Sequence, residues 1–266
     1  MTTVHTLSSG SSGNAAVLSC GETHLLLDAG ISCRRIETAL RSLGIALNGL
    51  TAICITHTHS DHIAGLSTLL KRTACPILGS GETCSELYRR IALPETRLSP
   101  LPMAESVAVG SVQITAIPTA HDAAGSCGYR FDCPDGSVGL LTDTGYITRE
   151  AQALLPGVDL AILEANHDVE TLLSGPYPYY LKERILGDGG HLSNEVSAEF
   201  AVTLARSGAG EIILAHLSRE NNTPAMAENA VARALCASGL SPRLRVAPRD
   251  TVGGPYYVKG TVLCKK

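Results

Sequence analysis

Ile53-Cys54-Ile55-Thr56-His57-Thr58-His59-Ser60-Asp61-His62-Ile63-Ala64-Gly65 is the stretch on which the reading of this chain turns. The apolar run from Leu50 to Ile55 has the length and composition of a buried strand. It ends without a spacer in an HxHxDH string. Ile63, Leu66, Leu69 and Leu70 then recur at helical spacing. In an extended segment alternate residues share a face, so His57, His59 and Asp61 converge, and His62 opens the helix toward the same cavity. Imidazoles and a carboxylate suit zinc, manganese or iron better than calcium or magnesium. At this chain's own His and Asp frequencies the string arises by chance in roughly four of ten thousand such chains, so a solvated loop with unrelated histidines is a poor explanation.

Four ligands in one loop are too few for two metals and too crowded for one. Other strands supply more. His24 to Leu27 pairs with Ala16 to Leu18 across Gly21 as a hairpin and runs into Asp28-Ala29-Gly30. Val112 to Ile117, in a hairpin with Val107 to Val109, leads to His121. Val138 to Leu141 leads to Asp143, Leu160 to Leu163 to Glu164, and Ile212 to Ala215 to His216. Rigid strands that deliver ionisable residues at their ends are how an α/β scaffold builds a site. Helices are expected over 33–43, 82–91, 193–207 and 224–238, and strands at 76–78, 243–247 and 256–259. The hairpins favour two mixed sheets flanked by helices over a purely parallel sheet, in a single domain covering 1–266.

At 266 residues, 44% hydrophobic and 17% charged, the chain excludes disordered, collagen-like and coiled-coil classes. No apolar stretch reaches membrane-spanning length, and the N-terminus lacks a signal-peptide pattern. Nine cysteines without a CxxC pair read as free thiols of a cytoplasmic protein. The net charge of −4 argues mildly against a high-affinity nucleic-acid binder. Arg34-Arg35, Lys71-Arg72, Arg89-Arg90 and Lys182 to Arg184 are the basic clusters that could line a groove, and each equally reads as a solvated helix face.

The run of motifs resembles the metallo-β-lactamase superfamily, with its αββα sandwich. Within it, Leu7 to Asn14, Thr56 to Gly65, Thr142 to Gly145, Glu164 to Asp168, Gly190 to Glu195 and Ala215 to Asn222 look like the YycJ (WalJ) family of nuclease-like proteins. The resemblance spans roughly residues 4 to 258. It implies a four-layer αββα fold and two divalent metal ions (zinc, manganese or iron). His57, His59 and His121 would hold one ion, Asp61, His62 and His216 the other, and Asp143 would bridge them. It also implies a proton-donating role for His191 and an orienting role for Glu164. Asp28 is expected to buttress the metal loop, and His5 and His24 to be structural. Ser193 or Asn194 followed by Glu195 equally reads as a helix start, which would leave His191 an ordinary loop residue.

The implied activity is phosphodiester hydrolysis by a hydroxide shared between two metals, with Asp61 and Asp143 holding the nucleophile and His191 as general acid. The resemblance extends this to a 5′ to 3′ exonuclease on DNA. Ser11, Ser12, Asn14, Asn166, His167, Arg219 and Asn221 are the substrate-binding candidates, and backbone N–H groups of Ser8 to Asn14 are placed to meet a phosphate. The alternatives are a small-molecule hydrolase on the same site (cyclic phosphodiester, lactone or thioester) and a non-catalytic metal-stabilised module. No membrane and no obligate protein partner are expected.

Overall fold

The computed structural model describes residues 1–258. The chain lays down six strands of one sheet, crosses to build a second sheet, and returns at its end to the first. The first six strands are β1 (Thr3–Ser8), β2 (Ala15–Cys20), β3 (Thr23–Leu27), β4 (Ala52–Cys54), β5 (Ile77–Ser80) and β6 (Leu98–Leu101). The second sheet holds β7 (Ser106–Val109), β8 (Val112–Pro118), β9 (Cys127–Cys133), β10 (Gly136–Leu141), β11 (Leu160–Glu164), β12 (Glu211–Ala215) and β13 (Arg243–Val246). The last strand, β14 (Gly253–Tyr257), pairs with β1 at the edge of the first sheet.

Both sheets are mixed. β3 through β6 run parallel in the first, and β10 through β13 run parallel in the second; antiparallel hairpins complete each. Alternating side chains feed two cores. Leu25 and Leu27 join Leu18 and Cys54 between the sheets, where they meet Phe131, Leu140, Ile162 and Ile213. Leu26, Val17 and Ile53 face outward under the helices Cys33–Ser42, Leu66–Leu69 and Gly81–Arg90. Leu141, Leu163 and Leu214 do the same under Arg149–Leu154, Asn194–Arg206 and Pro224–Ala237. Strands buried on both faces carry continuous apolar runs instead of alternation, which is why those runs were visible in the sequence. The result is the four-layer αββα sandwich.

Several local expectations change. The final strand lies over Gly253–Tyr257 instead of 256–259, and Lys259 is outside the described residues, as is the end of the 1–266 domain. The helix after the histidine string begins at Ser60 and breaks at Ala64-Gly65 before resuming at Leu66. Asp61 therefore sits in a helical first turn and not in an extended segment. β1, β6, β9 and the helices Arg149–Leu154, Val169–Ser174 and Tyr179–Leu186 carry too weak a periodicity to have been read from sequence.

Parallel strands of both sheets end on one rim, and close backbone packing closes it. Gly65 N–H donates to the Ala29 carbonyl, Ala29 N–H to His62, and Asn14 N–H to Asp61, all at 2.8 Å. A Cβ on Gly30 would overlap the Asp61 carbonyl and crowd the Asn14 amide, so only glycine fits. Gly21, in a hairpin turn with φ 57°, has open space around it. Gly30→Ala is expected to destabilise the fold by about 3 kcal/mol or more through overpacking, against about 1 kcal/mol for Gly21→Ala, as read by urea unfolding. Equal losses would show that the rim tolerates displacement of the Asp61 backbone.

Candidate metal centre

Most side chains of the centre stand where a strand has just ended, while His59 caps, and Asp61 and His62 lie in, the short helix Ser60–Ile63. Asp28 follows β3, Thr56 and His57 follow β4, His121 follows β8, Asp143 follows β10, Glu164 closes β11, and His216 follows β12. Asp28, Asp143 and His216 have φ of 59°, 58° and 57°. This left-handed conformation costs a non-glycine residue about 1–2 kcal/mol, and Asp and His are among the residues that tolerate it best. At each position it turns the chain sharply off the strand at the rim, a strain of the kind that gathers at functional sites.

Two groups of donors result. The Nδ1 of His59 lies 3.2 Å from the Nε2 of His121, and the His57 ring sits 4.7 Å and 4.9 Å from theirs. The second group gathers on Asp61, whose Oδ2 is 3.5 Å from Nε2 of both His62 and His216. Asp143 stands between them, with Oδ2 3.4 Å from His62 Nε2 and Oδ1 3.9 Å from His121 Nε2. Within the sets His57/His59/His121, Asp61/His62/His216 and His57/His62/Asp143, the donor atoms lie within 4.8 Å of one another.

The rings are aimed from behind. His62 Nδ1 is held by Asp28 at 2.8 Å, His216 Nδ1 by Glu164 at 2.8 Å, His121 Nδ1 by the Gly190 carbonyl at 3.1 Å, and His57 Nδ1 by the Thr56 hydroxyl at 3.0 Å. A ring that donates from one nitrogen presents a lone pair at the other, the arrangement found behind metal-ligating histidines. Asp28 also accepts from the Thr56 backbone N–H at 2.8 Å, so it fixes the start of the loop as well as one ring. His57 Nε2, His216 Nε2 and Asp143 Oδ2 are buried with no hydrogen-bond partner. Buried polar atoms are seldom left so, and three such atoms of metal-ligating types fit donors to divalent cations.

The charge balance makes the same demand. Burial and neighbouring rings hold His57, His59 and His121 below the ordinary imidazole range, so they stay neutral. Around the second group the carboxylates prevail. Burial alone would lower His216, but Asp143 and the hydrogen bonds to Asp61 and Glu164 push it up to about 10. His62 is likewise raised against burial by Asp143 and Asp28. Asp61 and Asp143 are held well below the usual carboxylate range despite burial, by the same imidazoles. Protons balance these carboxylates in the absence of cations, and a cation must displace them.

His191 reaches the centre as well. Its Nδ1 lies 2.9 Å from Glu164 Oε1, and its ring is 5.1 Å from that of His121. Ser193 caps the next helix by accepting from Val196 N–H, so the helix start and the placement of His191 at the site hold together. Glu164, grouped with the catalytic residues for its expected orienting role, is fully buried and saturated: it accepts from His191, His216, Thr144 N–H and Leu192 N–H. It is a positioning residue, and its partners bring its pKa down to about 2 against the opposing effect of burial.

The substrate candidates divide. Asn14 contacts the centre, its amide nitrogen 3.1 Å from His62 Nε2 and 3.4 Å from Asp61. Ser11, Ser12 and Arg219 are exposed at the rim. Asn166, His167 and Asn221 are buried. Asn166 donates to the His216 carbonyl, Asn221 bonds Ser218, and Asp168 caps the following helix, so 166–168 shape a turn. Asp122, 3.5 Å from His59 Nε2, and Arg90, bound to the Thr58 carbonyl, also touch the centre or its loop. Adjacency to His121 was the available signal for Asp122, and Arg90 stood out only as half of the basic pair Arg89-Arg90. His5 and His24 lie on β1 and β3 outside the donor sets.

A four-layer sandwich with two histidine-rich donor sets on one rim defines a metallo-β-lactamase fold. The chain belongs to the beta-lactamase superfamily, whose domain model matches residues 23–217. Within it the chain is a WalJ/YycJ-like member. It is 37% identical to exodeoxyribonuclease WalJ of Streptococcus pneumoniae, with 88% of each chain covered. It is 32% identical to exodeoxyribonuclease YycJ of Bacillus anthracis, with 88% of this chain and 89% of that protein covered. Among solved structures, the metallo-β-lactamase fold protein YhfI of Bacillus subtilis superposes with a TM-score of 0.73 at 17% identity, over 96% of this chain and all of that one.

His167 generates a test of the turn behind the centre. Both its ring nitrogens are buried without partners, and burial holds its pKa at about 4 against an ordinary 6.5. Below pH 6.5 the unfolded chain takes up a proton that the folded chain refuses until about pH 4. Stability from this group is thus present above pH 6.5 and lost between pH 6.5 and 4. Urea melts of wild type and His167→Gln should diverge across that window, the variant losing on the order of 3 kcal/mol less. Parallel curves would mean that the ring is already solvated.

Proposed function

We propose that this chain is a metal-dependent phosphodiester hydrolase that degrades DNA from an end, in the 5′ to 3′ direction, with two divalent cations at the rim centre. His57, His59 and His121 would hold one cation, Asp61, His62 and His216 the second, and Asp143 would join both. The observation that carries this reading is the pair of donor sets His57/His59/His121 and Asp61/His62/His216, with Asp143 grouped with one member of each (His57 and His62) and with His57 Nε2, His216 Nε2 and Asp143 Oδ2 buried without partners. The exodeoxyribonuclease relatives at 32–37% identity over 88% of this chain support DNA as the substrate. Zinc, manganese and iron all suit this mixture of imidazole and carboxylate.

Bound there, the cations would activate the attacking water and offset charge developing on the phosphoryl oxygens. The protein's own contributions follow from the geometry. Asp61 and Asp143 present carboxylate oxygens on the cavity side, where they can orient a water for attack. Glu164 fixes the Nδ1–H tautomer of His191 and directs Nε2 away from itself. As the imidazolium, protonated at both nitrogens, His191 would hand its Nε2 proton to the departing alkoxide, a poor leaving group that gains from protonation, and keep the Nδ1 proton that faces Glu164. Eight free cysteines among the described residues accord with the cytoplasmic location we assign, and no described helix is long and apolar enough to cross a membrane.

The test is incubation of manganese- or zinc-loaded protein with end-labelled single- and double-stranded DNA and RNA. Metal-dependent release of mononucleotides by wild type, and none by Asp143→Ala, is expected, with the label position reporting direction. Retained hydrolysis of bis-p-nitrophenyl phosphate without any cleavage of nucleic acid would move the assignment to a small phosphodiester. Asp61→Ala should lower bound metal and abolish turnover, and unchanged values would reject the two-cation assignment. His191→Ala should slow DNA cleavage about 10²–10⁴-fold while sparing the activated aryl ester, which needs no proton. Equal losses on both substrates would reject the general-acid role.

A further inference from the structure

Most of the basic pairs of this chain are consumed internally. Arg72 is bound to Glu37, Arg89 to Glu86, Arg90 to the Thr58 carbonyl and Arg184 to Asp122, while Lys182 caps the Leu173 and Gly175 carbonyls. One gathering is different. Arg34 and Arg35 project from the first turn of the helix Cys33–Ser42, which begins on the rim just beyond Gly30. Arg35 reaches the carbonyl of Asp250 at 3.2 Å and its carboxylate at 3.7 Å. Arg219 approaches the same carboxylate at 4.0 Å. Arg249 turns back beneath Gly10 and donates to the Ser218 carbonyl at 3.3 Å, while its second terminal nitrogen is buried without a partner. A groove of about 520 Å³ opens here, lined by Arg34, Arg35, Thr38, Ser42 and Asp250.

Arg35 and Arg219 meet at the Asp250 carboxylate and Arg34 lines the same groove, which makes a cationic patch on a chain whose net charge is −4. The patch is joined to the centre by direct bonds. Ser9 N–H donates to the Arg249 carbonyl at 3.2 Å, and the Ser9 hydroxyl accepts from the His216 backbone at 2.9 Å. The same loop continues through exposed Ser11 and Ser12 to Asn14, which touches Asp61 and His62. The patch therefore adjoins the Asp61/His62/His216 side of the rim.

We infer that this arginine-lined groove is a track for the phosphate backbone of one nucleic-acid strand whose scissile bond lies at the centre. The inference rests on the phosphodiesterase reading above and names how that site would hold its polymer. Arg35 and Arg219 meet at a single carboxylate with Arg34 beside Arg35, so the three span a few phosphates of one strand and not the two backbones of a duplex. The exposed Arg34, Arg35 and Arg219 supply guanidinium groups suited to bidentate phosphate contact, and Ser11 and Ser12 offer hydroxyls between groove and centre. Asp250 holds the arginines in place but repels the strand, which gives the two kinds of residue opposite expected effects.

The experiment measures binding of a labelled, cleavage-resistant phosphorothioate single strand to the metal-loaded protein as salt is raised from about 50 to about 200 mM. Replacing both Arg34→Ala and Arg35→Ala should weaken binding about tenfold and lower the slope of log affinity against log salt by about 1.4, or about 0.7 per lost phosphate contact. Asp250→Asn should tighten binding about two- to threefold, as removal of a like charge beside a phosphate does. Arg206→Ala, on the far end of its helix, should change nothing. Melting curves on the same samples identify any variant that has lost its fold. Unchanged affinity and slope in the double variant, or weakening in Asp250→Asn as well, would overturn the track while leaving DNA hydrolysis by wild type intact. Failure of wild type to cleave any nucleic acid would remove the track together with the reading beneath it.

Discussion

Asp28 is the residue on which the centre rests. Its carboxylate accepts from Thr56 N–H and from His62 Nδ1, both at 2.8 Å, so one buried group fixes both ends of the histidine loop. It does so from a left-handed backbone at the end of β3, one strand over from the loop it holds. Remove that contact and the loop between Thr56 and His62 would keep its sequence but lose its register against the rest of the rim. Glu164 plays the matching part in the second sheet, tying His216 and His191 to the backbone of 144 and 192.

The two anchors belong to different sheets, and the space between the sheets is apolar. Few polar groups there can relieve the carboxylates, so the relief must come at the rim. The Tyr129 hydroxyl bonds the Ile55 carbonyl at 2.6 Å, and Cys127 N–H bonds the Thr56 carbonyl at 3.0 Å, which locks the second sheet to the strand end that bears His57. Strain in Asp28, Asp143 and His216 is sustained because these inter-sheet contacts and the helices outside leave the chain no relaxed alternative. A site with neutral imidazoles on one side and carboxylates in excess on the other is built to exchange protons for cations.

Much of this was legible because its signals are local. The strands are buried on both faces, so their apolar runs stood out, and the abrupt change to His or Asp at each end marked the rim. The HxHxDH string, His121, Asp143 and His216 were named from sequence, and the structure brings them together. The resemblance placed Asp61 with His62 and His216, and the donor sets agree; the extended-segment argument that put it on one face with His57 and His59 did not foresee a helix starting at Ser60. Asn166, His167 and Asn221 read as groove residues for their polarity, yet their side chains turn inward to hold backbone and fill a turn. Polarity near a motif does not tell which way a side chain points.

From sequence alone came the layer architecture, the donor types and the order in which strands deliver them. These follow from hydrophobic periodicity and from the chemistry of single side chains. Tertiary structure alone decided how the rings are aimed from behind, that Glu164 is sealed behind two histidines, and that Arg35 and Arg219 meet at Asp250. Those arrangements join residues separated by tens to hundreds of positions, through strand register and left-handed turns. No local pattern encodes such distances, because they are set by how two sheets pack and not by what any one segment prefers.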